Sequence, residues 1–319
     1  MSGTGEITAL ADHKRRRIDE LTARTAAAGG SSLLRDAFRR LSRNPTAIVG
    51  AVVILLFLAV AILAPLVAPH DPAQRFPELT RELTVDSIPG ASAGHPLGSD
   101  PLGRDFASRM IYGARQTLLV GVLATLIGLL CGVLLGAIAG AIGGWVDVIV
   151  MRITDVMLAL PSLLLAITLV ALARESTQWT VIVAVAVVNV PIFARLLRGA
   201  MLAQRESDHV LAARALGVRR RTIVLGHMLP NSLTAVIVQA TLTFAVAILD
   251  AAALSFLGLG DPDINRAEWG LMLGVDGVRY FEVRPELAYF PACAIILVAL
   301  GFTLVGESMR EALDPKNRR

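Results

Sequence analysis

AIVGAVVILLFLAVAILAPLV, residues Ala47–Val67, is 21 residues without a single charge. About 20 consecutive apolar residues are what a helix needs to cross the hydrocarbon core of a bilayer. Five further runs approach or exceed this length without a charge: Thr117–Ile142, Val156–Ala173, Ser176–Ala194, Thr222–Leu249 and Leu287–Gly306. In lipid every backbone N–H and C=O must be bonded within the protein, so such runs are read as helices. None of them shows the period-2 alternation of a barrel strand. The expected fold is an all-α membrane protein of six transmembrane helices. Pro230 and Asn231 stand near the start of the fifth run, so its helix is expected to begin near Asn231 and to end near Gly258.

Composition agrees with this reading. Over 319 residues, 55% are hydrophobic and 18% charged, against about 45 to 50% and about 25% in soluble domains. The net charge of +4 is explained by placement. With the N-terminus inside and six crossings, 21 of the 30 basic residues fall on the inner side and nine on the outer, so both termini are expected in the cytoplasm and nucleic acid is not a partner. The basic N-tail, with Lys14, Arg15, Arg16 and Arg17, is too long and polar for a cleaved signal peptide, so the first run is expected to stay as an anchor, with anionic membrane lipid as the tail's neighbour. The chain is thus divided into a cytoplasmic tail (1–45), a first transmembrane helix (46–68), an extracytoplasmic loop (69–115), a five-helix core (116–309) with a cytoplasmic loop at 200–230, and a C-terminal tail (310–319).

Most catalytic chemistries have no residues to work with. A phosphate-binding loop needs Gly-x-x-x-x-Gly-Lys-Ser/Thr, but the two lysines follow His13 and Pro315, so this chain is no P-loop ATPase. His-Glu-x-x-His, Gly-x-Ser-x-Gly and Cys-x-x-Cys are absent, and the five histidines (His13, His70, His95, His209, His227) are scattered, so neither a catalytic residue nor a metal site is expected. Cys131 and Cys293 lie in apolar stretches and read as packing residues.

Charges within the apolar runs are functional candidates. Arg152 and Asp155, three apart on one helix face, read as a structural ion pair, and Glu307 with Arg310 likewise. Asp250, deeper in the fifth run, either faces a water-filled path or has a hydrogen-bonded packing role. Gly128, Gly132, Gly136 and Gly140 recur every four residues on one helix face, where another backbone, in the same chain or in a partner subunit, approaches closely. Between the fourth and fifth runs, Ser207 to Gly217 reads as a short Ala-rich helix ended by Gly217, followed by Arg219, Arg220 and Arg221.

Ala212-Ala213, then Gly217, then His227-x-Leu229-Pro230 resembles the Glu-Ala-Ala loop of permease subunits in binding-protein-dependent ABC importers. Gly94-His95-Pro96-Leu97-Gly98-Ser99-Asp100-x-Leu102-Gly103-Arg104-Asp105 and Ser108-Arg109-x-x-Tyr112-Gly113-Ala114-Arg115 narrow this to the C-type permease of dipeptide, oligopeptide and nickel importers. Gly144-Trp145-x-Asp147, Met151-Arg152-x-x-Asp155, Pro161-Ser162, Leu254 to Gly260 and Glu268-Trp269-Gly270 extend the match.

The resemblance implies a type I ABC importer permease in the bacterial plasma (inner) membrane. Its partners would be a B-type permease, two ATPase subunits or domains that carry ATP and Mg, and an extracytoplasmic substrate-binding protein; this chain would bind no cofactor. The loop helix with Leu211, Ala212, Ala213 and Gly217 would dock on the ATPase, with Pro230 as a hinge. Two departures stand out: Leu211 occupies the place of the family's Glu, leaving anchoring to packing or to Asp208. Asp250 lies one place before the family's usual acid, a rotation of about 100° on a helix. A proton-coupled secondary transporter is the alternative, and it would be expected to show internal repeats around midplane charges, which this chain lacks.

Overall fold

The computed structural model describes residues 39–82, 84 and 87–313. Most of the basic tail, with Lys14 to Arg17, lies outside the described residues, as do residues 314–319. Every regular element among the described residues is helical.

Helix α1 (Pro45–Val67) starts at Asn44, whose side chain accepts the Thr46 N–H at 3.0 Å, while Pro45 sits where no N–H is needed. After a short α2 (Pro77–Glu82) comes α3 (Phe106–Ile142), which begins well before Thr117. At 37 residues it is about 55 Å long, far more than the hydrocarbon thickness, and its helix begins directly after Asp105, within the segment expected to be loop as far as 115. Asp105 caps α3 by accepting the Ser108 N–H at 2.8 Å.

The third apolar run is not one helix. It is α4 (Gly144–Ala159) and α5 (Ser162–Leu172), bent 99° apart. Pro161 explains the break: it has no N–H to give, and it holds Leu160 in an extended conformation (φ −89°, ψ 138°). Next come α6 (Gln178–Arg205), the loop helix α7 (Asp208–Ala215) and α8 (Arg220–Ile223). A single wide turn with π-type hydrogen bonding (Val224–Met228) then passes into α9 (Leu229–Phe256). The chain does not break at Pro230. The widened turn falls where the proline ring would clash with the carbonyl of Gly226 and where its missing N–H would leave a gap, so the helix runs on from Arg220 to Phe256. The helical path back into the bundle thus begins eleven residues before Asn231. A short α10 (Trp269–Met272) and a second wide turn precede α11 (Glu286–Leu313).

Five helices (α1, α3, α6, the α8–α9 rod and α11) are long and apolar enough to cross a membrane, and α4 with α5 as one bent crossing makes six. Alternate crossings place the starts of α1 and α4, the ends of α3, α6 and α11, and all of α7 on one membrane face. The ends of α1, α5 and α9, with α10, lie on the other. Leu55, Ile62, Leu66, Leu130, Leu134, Ile149 and Ile296 are exposed, as lipid-facing residues must be.

Helix α3 is the axis of the bundle, and its glycines fix how close α6 comes. A β-carbon at Gly132 would lie 2.5 Å from Phe193 Cβ and 2.6 Å from the Val190 carbonyl oxygen; one at Gly136, 2.5 Å from the Ala194 carbonyl oxygen. The whole ladder from Gly128 to Gly140 therefore faces α6 of the same chain. Three apolar cores follow along α3. Phe106, Trp269 and Leu287 lie at one end, Ile182, Val185 and Leu254 in the middle, and Phe193, Leu197, Met201, Val210 and Met228 at the end that carries α7.

Candidate functional site

Two constructions stand at opposite membrane faces, and the first is the α7 loop. Val210 and Ala213, three apart, turn inward against Leu197, Met201 and Met228. That anchorage leaves Leu211, Ala212 and Leu216 exposed on the outward side. Gly217 ends the helix in the left-handed region (φ +75°). Its N–H donates to the Arg214 carbonyl and that of Val218 to the Ala213 carbonyl, each at 3.0 Å, which is the paired closure that glycine permits at this position. Asp208 makes no ion pair among the described residues, so packing by Val210 and Ala213, not a carboxylate, holds the loop helix in place. The result is a short knob with small and apolar side chains outward, rigidly seated on the bundle.

The second construction, at the opposite face, was not singled out by charge spacing. Asp100 is fully buried; its Oδ1 accepts the N–H groups of Leu102 (2.9 Å) and Arg104 (3.0 Å), and its Oδ2 accepts Arg104 Nε at 2.6 Å and lies 3.2 Å from Arg109 Nε. Arg104 Nη1 donates to the Ile264 carbonyl at 2.6 Å, and Arg109 reaches the carbonyls of Pro72, Asn265 and Arg266 at 3.3 to 3.4 Å. One carboxylate thus ties two loops distant in sequence. Arg284 repeats the device, with its guanidinium on the carbonyls of Ile88, Pro89 and Leu97. Gly98 (φ +70°) leaves room for it, because a β-carbon there would lie 2.6 Å from Arg284 Nη2.

Glu268 caps α10 by accepting the N–H groups of Gly270 and Leu271 at 3.0 Å; burial pushes its carboxyl above the usual range against the pull of these bonds. Trp269 is buried on Gly113, with Nε1–H donating to the Met110 carbonyl at 3.0 Å. Asp276 faces the Arg104 and Arg109 cluster, and burial together with the Asp100 charge pushes it up to about 6 while the two arginines pull it down.

The scattered histidines are partly gathered. His95 Nδ1 lies 3.0 Å from Asp105 Oδ1 and His70 Nδ1 3.8 Å from Asp105 Oδ2, with Phe76 packed on both rings. Two imidazoles and a carboxylate are a donor set for a transition cation. Here, though, the carboxylate is already committed, since Oδ2 also accepts the Ser108 N–H and Oγ–H that begin α3.

The expected pair of Arg152 with Asp155 is corrected: Asp155 pairs with Arg195 of α6, and Arg152 is exposed. Asp155 lies on the side of α4 that meets α6, where Arg195 and Arg198 project one after the other; Arg198 makes a two-pronged bond to Asp147 at 2.9 and 2.6 Å. Glu307 and Arg310 are 3.9 Å apart and both exposed. Asp250 lies within α9, and its buried Oδ2 has no hydrogen-bond partner among the described residues.

The described residues thus form a bundle of five long apolar helices, or six with the bent pair, carrying a seated knob on one face and a stapled cap on the other. The chain belongs to the family of binding-protein-dependent transport system inner membrane components, whose model matches residues 132–319; residues 32–84 match the N-terminal TM domain of oligopeptide transport permease C. It is 45% identical over 88% of its length to the dipeptide transport system permease protein DppC of Alkalihalophilus pseudofirmus, covering 90% of that protein. It is 41% identical over 89% to the di/tripeptide transport system permease protein DppC of Pseudomonas aeruginosa (93% covered), and 39% over 88% to the glutathione transport system permease protein GsiD of Pectobacterium atrosepticum (91% covered). A chain of the MetNI methionine ABC transporter, solved in inward-facing conformations, superposes on 65% of this one with a TM-score of 0.53, 18% identity and 96% of that chain covered. The fold is that of a type I ABC importer permease, and the protein is a multi-pass permease component of an ABC importer in the inner membrane.

Proposed function

We propose that this chain is the C-type half of the translocation path for peptides, paired with a B-type permease, and that it couples through α7 to separate ATPase subunits or domains. ATP and Mg belong to those subunits, and an extracytoplasmic binding protein delivers the substrate. Both termini and α7 face the cytoplasm in this reading, and the cap built on Asp100 and Trp269 faces the binding protein. The observation that carries it is the seating of α7: two residues are packed into the bundle, so a push on the exposed side of Leu211, Ala212 and Leu216 moves the bundle rather than bending a loop. A binding protein and ATP, each favouring a different arrangement of the same helices, then alternate the access of the path. The peptide assignment is supported by the names of the relatives in three bacteria.

The test is purification of the tagged chain from its own host with measurement of ATP hydrolysis. A second permease, an ATPase and peptide-stimulated hydrolysis are expected; peptide uptake by the purified chain alone, driven by a proton gradient, would establish the secondary-transporter alternative instead. Orientation is read in a cysteine-free background, where Ser92→Cys should react with an impermeant thiol reagent from outside the cell and His209→Cys should not.

A further inference from the structure

At the membrane face that carries α7 lies a pocket of about 320 Å³ whose floor is Gly140, Ala141 and Met228 and whose rim is Arg205, Arg214 and Arg220. All three arginines line it for reasons of helix geometry. Arg205 stands one turn beyond Met201, the buried residue that packs on Gly140, so it projects over the end of α3. Arg214, exposed like Leu211 three residues before it, stands one turn beyond the buried Val210 and lines the pocket from the α7 side. Arg220 donates to the last carbonyls of α3, those of Ala141 and Ile142, the latter at 3.2 Å.

Charge at this spot is uncompensated. Among the described residues Arg205 and Arg214 have no carboxylate within 4 Å and no side-chain hydrogen bond, whereas Arg195 and Arg198, higher on the same helix, are both paired with acids. Two unpartnered guanidiniums and a third turned to helix carbonyls make a site for an anion with several oxygens, above all a phosphate, which a guanidinium engages with two parallel N–H donors. The surroundings say which phosphate. Ile142 and Leu225, each next in sequence to a lining residue, are exposed apolar residues, and Trp145, also exposed, opens α4 three residues after Ile142; apolar and aromatic side chains beside basic ones suit the boundary between acyl chains and headgroups.

We infer that this pocket holds the phosphate of an anionic phospholipid, with Arg205 and Arg214 as its principal ligands and the acyl chains running along Ile142 and Leu225. The inference depends on the chain lying in a bilayer and not on its substrate. A lipid so placed fills the space between the end of α3 and the Arg214 side of α7, and so adjoins the seat of the loop helix.

The test uses the assembled transporter in nanodiscs of phosphatidylcholine with and without phosphatidylglycerol, followed by native mass spectrometry after transfer to detergent. Wild-type complex should retain phosphatidylglycerol, and Arg205→Gln/Arg214→Gln should retain it about tenfold less or worse for each guanidinium removed. Arg205→Lys/Arg214→Lys, which keeps the charge without the two-pronged donor, should fall between. Gel filtration of the complete complex in phosphatidylcholine alone shows that the variants are assembled. Equal retention by wild type and the glutamine variant would overturn the inference. So would release of the lipid by inorganic phosphate, which would make this a free-anion site, or efficient crosslinking of Arg214→Cys to the ATPase, which would show a protein covering the pocket.

Discussion

The glycine ladder of α3 allows its own consequences to be graded position by position. Ordinary carbon contacts begin near 3.4 Å; an added β-carbon falls about 0.9 Å short of that at Gly132 and Gly136, about 0.6 Å short at Gly128 and about 0.3 Å short at Gly140. What it meets matters as much. At Gly132 and Gly136 it meets backbone carbonyls of α6, which cannot turn aside, whereas at Gly140 it meets the side chain of Met201, which can. Alanine at Gly132 or Gly136 must therefore push α3 and α6 apart by nearly 1 Å, a gap that forfeits a quarter to a half of each dispersion contact along the seam and places the cost at about 2 to 3 kcal/mol. Gly140→Ala should cost under about 1 kcal/mol, and Gly199→Ala, where nothing lies within 4 Å, should gain up to about 1 kcal/mol from helix propensity. The assay is the fraction of fluorescently tagged protein surviving a temperature ramp, read by gel filtration. At roughly 2 °C per kcal/mol for a chain of this size, Gly132→Ala and Gly136→Ala should lower the midpoint by about 4 to 6 °C. If both match wild type while Gly140→Ala falls, the ladder does not set the α3–α6 distance and the reasoning fails.

Other outcomes follow from single positions. Gly217→Val forces a β-branched residue into the left-handed region, so binding-protein-stimulated ATP hydrolysis should be lost with membrane insertion unchanged; Gly217→Asn should keep most of it, and a fully coupled valine variant would remove α7 from the mechanism. Asp276 holds in the folded protein a proton that the unfolded chain releases between the ordinary 3.8 and about 6, so stability should fall as pH rises through that window, by up to about 3 kcal/mol. Asp276→Asn should flatten this slope in thermal midpoints, and an unchanged slope would show that another group causes it. Asp100→Asn breaks a fully buried pair and should cost about 3 to 5 kcal/mol, whereas Asp155→Asn removes a half-exposed pair and should cost under about 1 kcal/mol; equal losses in the same thermal assay would contradict the contrast.

The sequence made the apolar crossings legible because hydrocarbon imposes one rule on all of them. The stop at Gly217 was legible for a local reason, since only one backbone conformation closes a helix that way. Three features were hidden. The bend at Pro161 lies inside an uninterrupted apolar run, so hydropathy passes over it, although a proline preceded by an extended residue is its signal. Arg152 and Asp155 have the spacing of a helix pair, but spacing cannot reveal that α6 offers Asp155 a better partner in Arg195. The cluster of Asp100, Arg104 and Arg109 was visible as part of a motif, yet its work lies in carbonyls from residues 264–266, some 160 positions away, which no local pattern announces.

Helices α8 and α9 with the turn between them form an unbroken rod of 37 residues, about 55 Å from Arg220 to Phe256. Such a rod is a lever. Its near end adjoins the loop helix; its far end supports the cap, where Gly270 brings α10 onto the backbone of Ala252 and Gly274 brings the following wide turn onto that of Phe256. A tilt of about 5° at the near end displaces the far end by roughly 5 Å, enough to part side chains that were in contact. On the proposed coupling, a movement on one side of the membrane would reach the other within this single segment, without a relay of successive rearrangements.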